Sequence, residues 1–197
     1  MAFVNPLTLH GKHAVLEPLA NSHLHALQAA AADGELWNLW FTSVPTPDEA
    51  AANIAFRLDE RERGTMMPFV VRRVADNRIV GATTFCNIAA LNRRVEIGYT
   101  WVAQSVQRTA INTEVKLMML QHAFETLDCM AVEFRTHHKN LASRAAIERL
   151  GAKLDGVLRS HGFDRQGVIR DTYVYSIIAA EWPDVKARLQ ERLAHPC

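Results

Sequence analysis

The spacing of hydrophobic and polar residues changes period repeatedly along the chain, and each change marks an element. Leu9 to Leu19 alternates loosely and runs into Pro18, which predicts a first strand. Asn21 then stands as N-cap to the Ala-rich stretch His23 to Ala32, a helix closed by Asp33-Gly34. Leu36 to Phe41 is a short aromatic segment carrying Trp37 and Trp40. Thr46 as N-cap, Pro47 at the first helical position and Gly64 as terminator predict a second helix.

Pro68 to Val74 and Arg78 to Ile88 are rich in Val, Ile, Thr and Phe around Asp76-Asn77, the composition of an antiparallel hairpin, and Arg93 to Val102 continues it into a meander. Ile111 to Leu127 carries two apolar stripes that merge into one broad face, so this helix belongs to the core. Met130 to Thr136 reads as a strand and Asn140 to Leu150 as a helix ended by Gly151. Ala152 to Arg159 and Val168 to Ile178 read as strands joined by the loop of residues 162 to 167, and Trp182 to Leu193 as a last amphipathic helix. A meander feeding a strand, helix, strand crossover predicts an α/β chain: one twisted sheet of about seven strands, mixed parallel and antiparallel, helices on both faces and a helix at the C-terminus. No repeat, linker or second domain is visible, so one domain over residues 1–197 is expected, its core spanning about 9–193.

Composition narrows the class. Hydrophobic residues are 49% and charged residues 22%, which excludes a disordered or collagen-like chain. Lys and Arg (22) nearly cancel Asp and Glu (21), so no overall basic field exists to hold nucleic acid or an anionic membrane. Cys86, Cys129 and Cys197 are an odd set without Cys-x-x-Cys spacing, and no apolar run reads as a signal or a membrane span. A cytoplasmic protein is expected.

Two stretches carry candidate chemistry. The strand-to-helix junction at residues 107 to 113 presents unpaired N–H groups to an anion such as a pyrophosphate, or else is an ordinary loop capped by Thr109 or Asn112. Asn140 and Ser143 lie three apart at the start of a helix and face one inner cleft, unless Asn140 serves only as a cap. His23 with His25, and His137 with His138, lack the spacing and companion ligands of a metal site, so no metal is expected. Dinucleotide, Walker and nucleophile-elbow motifs are missing.

Taken in order, several segments resemble the Gcn5-related N-acetyltransferase (GNAT) superfamily, and within it the branch of the RimJ and RimL ribosomal-protein N-terminal acetyltransferases. They are Glu96-Ile97-Gly98-Tyr99, Asn112-Thr113-Glu114 with Lys116, His122-Ala123-Phe124-Glu125, Asn140 with Ser143, Leu150-Gly151-Ala152, Asp155 to Arg159, Arg170-Asp171-Thr172 with Tyr175-Ser176, and Glu181-Trp182. The resemblance implies a sheet whose fourth and fifth strands splay apart and receive acetyl-CoA, with the pantetheine arm along the fourth strand at Thr100, Trp101 and Val102. It places the pyrophosphate on Gln107, Arg108, Thr109, Ala110, Ile111, Asn112 and Thr113, where Ala110 replaces the family's central Gly and Asn112 its last small residue. Asn140 and Ser143 would complete the cofactor site, and a homodimer follows by analogy with the branch.

Acetyl transfer to an amine requires removal of the ammonium proton and protonation of the departing thiolate. Ser143 matches the family position near the CoA sulfur, and Glu96, then His161, then Glu133 are the groups ranked to take the proton. Trp37, Trp40 and Phe41 are candidates to line an acceptor pocket. His10, His13, His161, Arg159, Arg165 and Arg170 fall near one end of the expected sheet, favouring an acceptor with a carboxylate or phosphate over a polyamine, unless Asp155, Asp164 and Asp171 neutralise the arginines. The alternative to an enzyme is a non-catalytic CoA-binding or interaction module with the same fold.

Overall fold

The computed structural model describes residues 3–42 and 44–195. Cys197 lies outside the described residues. Eight strands form one sheet: β1 (Leu9–His10), β2 (Ala14–Pro18), β3 (Met67–Arg73), β4 (Ile79–Ala89), β5 (Arg94–Val102), β6 (Ala131–His137), β7 (Lys153–Phe163) and β8 (Ile169–Ile178). Their order is β1-β2-β3-β4-β5-β6-β8-β7. The pairing of β5 with β6 is parallel and every other pairing is antiparallel. The helices are α1 (Leu24–Ala32), α2 (Ala50–Glu62), α3 (Ala110–Gln121), α4 (Leu141–Leu150) and α5 (Trp182–Ala194).

Alternation along β3 and β4 sends side chains to both faces. Phe69, Val71 and Phe85 pack in one cluster with α3, α4 and α5, while Val70 and Ala82 pack in another with Leu27 of α1 and Ile54 of α2. The sheet is therefore covered on both sides, and β5 and β6 run through its middle.

The expected first strand is two strands. The chain turns at residues 11–13 because the buried Glu114 carboxylate on α3 accepts the backbone N–H groups of Lys12, His13 and Ala14 at 2.7–2.8 Å. A Cβ at Gly11 would come within 2.5 Å of that carboxylate, so the turn requires glycine. Asn21 is not the cap of α1; it opens a 3-10 turn, Asn21–His23, in which Ala20 N–H donates to His23 Nδ1 at 3.2 Å. Thr46 and Glu49 do exchange hydrogen bonds, each side chain accepting the other's backbone N–H, but they close a turn ahead of α2, which begins at Ala50 and not at the expected Pro47.

The long core helix becomes π-helical over His122–Thr126 beyond α3. The last hairpin extends to Phe163, so its loop shrinks to residues 164–168, where Asp164 Oδ1 accepts the N–H groups of Gln166 and Val168. A register shift between Leu158 and Gly162, with Ser160 at φ 49°, bends β7 there.

Candidate active site at the parting of β5 and β6

Three rungs join β5 to β6: Arg94 with Ala131, Val95 with Val132, and Glu96 with Glu133. Beyond them β5 stays with β4 while β6 stays with β8, so the two strands part and each keeps an unpaired backbone edge. The bend is built into β5, whose register against β4 shifts near Tyr99, a residue held at φ 51°. Gly98 precedes it, and a Cβ there would lie 2.9 Å from Cys86 Sγ and 3.1 Å from Glu96 Oε1.

Of the residues expected along the opening, Thr100 turns its side chain toward α3, where its Oγ1 meets Lys116 Nζ at 2.6 Å and Thr83 Oγ1 at 2.8 Å. Trp101 packs on the α1 and α2 side. The carbonyl of Val102 accepts from Gln107 Nε2 at 3.3 Å, while Ala103 N–H bonds Val80 on β4. Backbone groups of Thr100 and Val102 thus face the side that β6 has left.

The following loop makes a 3-10 turn, Gln104–Val106, and then puts Arg108 at φ 61° before Thr109 caps α3 by accepting Ile111 N–H. Ala110 is already helical, so the missing glycine causes no strain at that position; the left-handed residue is Arg108. Asn112 and Thr113 occupy the first turn of α3, half-buried, and Gln107 and Arg108 are exposed. An open helix N-terminus flanked by an arginine is chemistry suited to a phosphate.

Asn140 Oδ1 accepts Ser143 N–H at 3.0 Å and caps α4, which takes its carbonyl oxygen out of the cleft. Ser143 is half-buried, and its hydroxyl has no hydrogen-bond partner among the described residues.

The three proton acceptors fall in different environments. Glu96 is buried, accepts from Asn87 Nδ2 at 2.6 Å and has Arg135 Nε at 3.4 Å; burial pushes its carboxyl above the usual range, and Glu133 adds to the shift. Glu133 is held in ion pairs by Arg94 at 2.5 Å and Arg135 at 3.0 Å. His161 lies exposed on edge strand β7, bonded to Thr172 Oγ1 at 3.1 Å, with β8 and β6 between it and β5. The structure therefore brings Glu96 to the opening and keeps His161 away from it.

The expected basic rim does not assemble. His10 and His13 lie by β1 at one edge of the sheet and Arg159 and His161 on β7 at the other. Arg165 instead ties the β7–β8 turn to the carbonyl of Trp37 at 3.1 Å and to Glu49 at 2.8 Å. Asp155, Asp164 and Asp171 accept from Ser176, from Gln166 and Val168, and from Ser160, not from arginines.

Three buried polar groups were missed from sequence. Lys116 is 6% exposed, and burial pulls its pKa down to about 7; its Nζ lies 5.9 Å from the Phe134 ring of β6. Arg57 on α2 is 2% exposed. His137, at the end of β6, is packed edge-on by Trp40 at 5.1 Å and stacked on His138, and burial lowers its pKa. The available signal was a charged residue inside an apolar helical stripe: Arg57 continues the row Ala50, Ile54.

Residues 13–153 match the family model described as the acetyltransferase (GNAT) domain. The chain belongs to the GNAT acetyltransferase family. YdaF of Bacillus subtilis (strain 168), a curated relative named for ribosomal N-acetyltransferase activity, is 32% identical over 111 residues, covering 56% of this chain and 60% of YdaF. A GCN5-related N-acetyltransferase from Brucella melitensis is 28% identical, covers 98% of this chain and 87% of its own, and superposes with a TM-score of 0.84. The fold is also that of RimL, a ribosomal L7/L12 α-N-protein acetyltransferase solved with coenzyme A: TM-score 0.74, 19% identity, 87% of this chain and 98% of that one. The GNAT fold expected from sequence is thus the fold found, with β1 as an additional short strand. Among the described residues of this GNAT chain no helix is long and apolar enough to cross a membrane, and no group of three or more His, Cys, Asp or Glu could hold a metal ion.

Proposed function

We propose that the protein transfers an acetyl group from acetyl-CoA to a primary amine by direct attack on the thioester. The observation that carries this reading is the position of Glu96: a buried carboxyl with a raised pKa on the last rung before β5 and β6 part. A carboxylate whose pKa moves toward neutrality is a better base for an ammonium proton than an exposed one. Acetyl-CoA supplies the activated acyl group.

The chain's own residues divide the remaining work. Backbone groups of Thr100 and Val102 fix the pantetheine arm, with Trp101 between them, and the first turn of α3 with Gln107, Arg108, Thr109, Ala110, Ile111, Asn112 and Thr113 takes the pyrophosphate. Glu96 accepts a proton from the incoming ammonium so that its nitrogen lone pair is free to bond the acyl carbon. Ser143, whose hydroxyl is unengaged, donates a proton to the sulfur as the carbon–sulfur bond breaks and takes in its place the second proton that the nitrogen sheds on becoming an amide, so the hydroxyl is restored, and Asn140 keeps α4 oriented for it. Glu133 and its two arginines set the charge around Glu96. His161, bonded to Thr172 on the far side of β6 and β8, is given no part in proton transfer.

The names of YdaF and RimL support an amine at a protein N-terminus, with a small-molecule amine as the other acceptor class. The buried thiols of Cys86 and Cys129 fit a cytoplasmic setting, as does the use of acetyl-CoA. The test is thiol release from acetyl-CoA across peptides with free N-termini, amino acids and polyamines. Amine-dependent release is expected; tight CoA binding without release on any amine would favour a non-catalytic CoA-binding module and overturn the proposal.

A further inference from the structure

Lys116 is a buried amine with one partner. Its Nζ donates to Thr100 Oγ1 at 2.6 Å and makes no other hydrogen bond or ion pair among the described residues. An ammonium carries three N–H donors, so two are unused in a residue that is 6% exposed. Unmade donors on a buried ion are costly, and natural chains keep them where a ligand completes them.

The two neighbours of Nζ lie on the two strands that part. Phe134, whose ring centre is 5.9 Å away, follows the last rung on β6, and Thr100 lies beyond the bend on β5. Nζ therefore sits at the floor of the opening, on its α3 side. Lys116 is six residues from Ala110, about 9 Å along α3 from the helix start that would take the pyrophosphate. An arm that starts there and runs back along β5 toward Glu96 brings its thiol end over Lys116. The other charged groups are turned elsewhere. Glu114 on α3 is engaged by the N–H groups of residues 12–14, and Glu96, Arg57 and Arg135 stand with Cys86 on the opposite face of the sheet. Cys86 is the titratable group coupled to Lys116, and burial pushes its thiol up, so it stays neutral.

We infer that Lys116 is the sulfur-recognition residue of the cofactor site: its neutral amine takes the thiol proton of bound CoA, and the product is held as a thiolate paired with the Lys116 ammonium. The S–H bond breaks, an N–H bond forms, and one proton moves with no change in oxidation state. This inference rests on the acetyltransferase reading above. With a pKa of about 7, Lys116 is present as the amine in the free protein above that pH. Acetyl-CoA has no thiol proton to give, so the pair distinguishes product from donor and makes free CoA a strong competitor of acetyl-CoA.

The test measures the affinities of CoA and desulfo-CoA, which differ only in the sulfur, by calorimetry across pH in the wild type and Lys116→Met. The wild type should prefer CoA by roughly tenfold or more, and most strongly between about pH 7 and the ordinary thiol value of about 8.5. Below this window the free partners hold two protons and the complex holds one; above it the free partners hold none. Binding must then release or recruit a proton, and the preference falls on either side. Bound CoA should also show the ultraviolet absorbance of a thiolate at neutral pH, a readout that needs neither turnover nor a variant. Lys116→Met should bind desulfo-CoA as the wild type does, and CoA no better. Equal affinities for CoA and desulfo-CoA in the wild type, a preference that does not vary with pH, or thiolate absorbance retained in Lys116→Met would overturn the inference and leave the acetyltransferase reading intact. Failure to release thiol on every amine would count against that reading alone; the thiolate absorbance would still decide the role of Lys116.

Discussion

Glu96 and Glu133 face one another on the last rung where β5 and β6 touch, and their charges are treated differently. Glu133 takes close ion pairs from Arg94 and Arg135, whereas Glu96 is left with an amide and one longer contact to Arg135. Glu96 therefore carries the raised pKa. Glu96→Gln should lower kcat/KM by about 100-fold and abolish the acid limb of its pH profile. Glu133→Gln should move that limb to lower pH, because it removes a repelling charge and leaves Arg135 to Glu96 alone. Steady-state rates across pH check both; a Glu96→Gln profile that keeps the wild-type acid limb would assign the base elsewhere.

Ser143→Ala removes a hydroxyl that makes no hydrogen bond among the described residues, so stability should change little. Turnover should fall about tenfold or more with CoA affinity nearly unchanged, because the interaction is needed as the sulfur departs. Single-turnover kinetics beside CoA calorimetry separate the two. Weaker CoA binding with normal turnover would make Ser143 a cofactor contact only.

Asn112→Asp places a carboxylate in the first turn of α3, where the helix dipole would tolerate it in the free protein but a bound pyrophosphate would not. CoA affinity should drop by roughly an order of magnitude, and more steeply at low salt. Calorimetry at two ionic strengths reads this directly; unchanged affinity would put the pyrophosphate on another surface.

Lys116 ties stability to pH. Its folded-state pKa of about 7 lies below the ordinary value of 10.5, so between these limits the unfolded chain holds a proton that the folded chain does not. Stability contributed through this group therefore rises with pH across that window, and the burial penalty is complete below it. Lys116→Met should be more stable than the wild type near pH 7, by an amount that shrinks as pH approaches about 10. Urea unfolding of both proteins at three pH values gives the comparison; a constant difference would show that the lysine is not titrating in the fold.

Most of this architecture was legible because local chemistry and burial agree. Asn140 with Ser143 and Gly151 at φ 101° are caps whose partners lie within a few residues, and Thr46 with Glu49 closes a local turn ahead of α2. The break between β1 and β2 was not, because it is imposed by Glu114, about 100 residues away in sequence. Asn21 misled for a related reason: His23 fills the same turn from the other side.

At the site, the helix starts and Glu96 could be read from order and spacing, since a strand leading into a capped helix is a local pattern. Arg57 and Lys116 could not, because their meaning lies in what fails to surround them: two donors without acceptors, and an ammonium without a carboxylate. The basic rim was not found because one end of a sheet runs across all its strands, and β1 and β7, which carry these residues, are its opposite edges.

The claim that the opening between β5 and β6 receives the acyl donor is tested most directly by titrating CoA into labelled protein and following backbone amide signals. The largest changes should fall on Thr100 and Val102 of β5, on Arg108 to Thr113, and on Ser143, with β1 and β7 unmoved. Changes confined to surfaces away from β5 and the start of α3, or none at saturating CoA, would contradict the account.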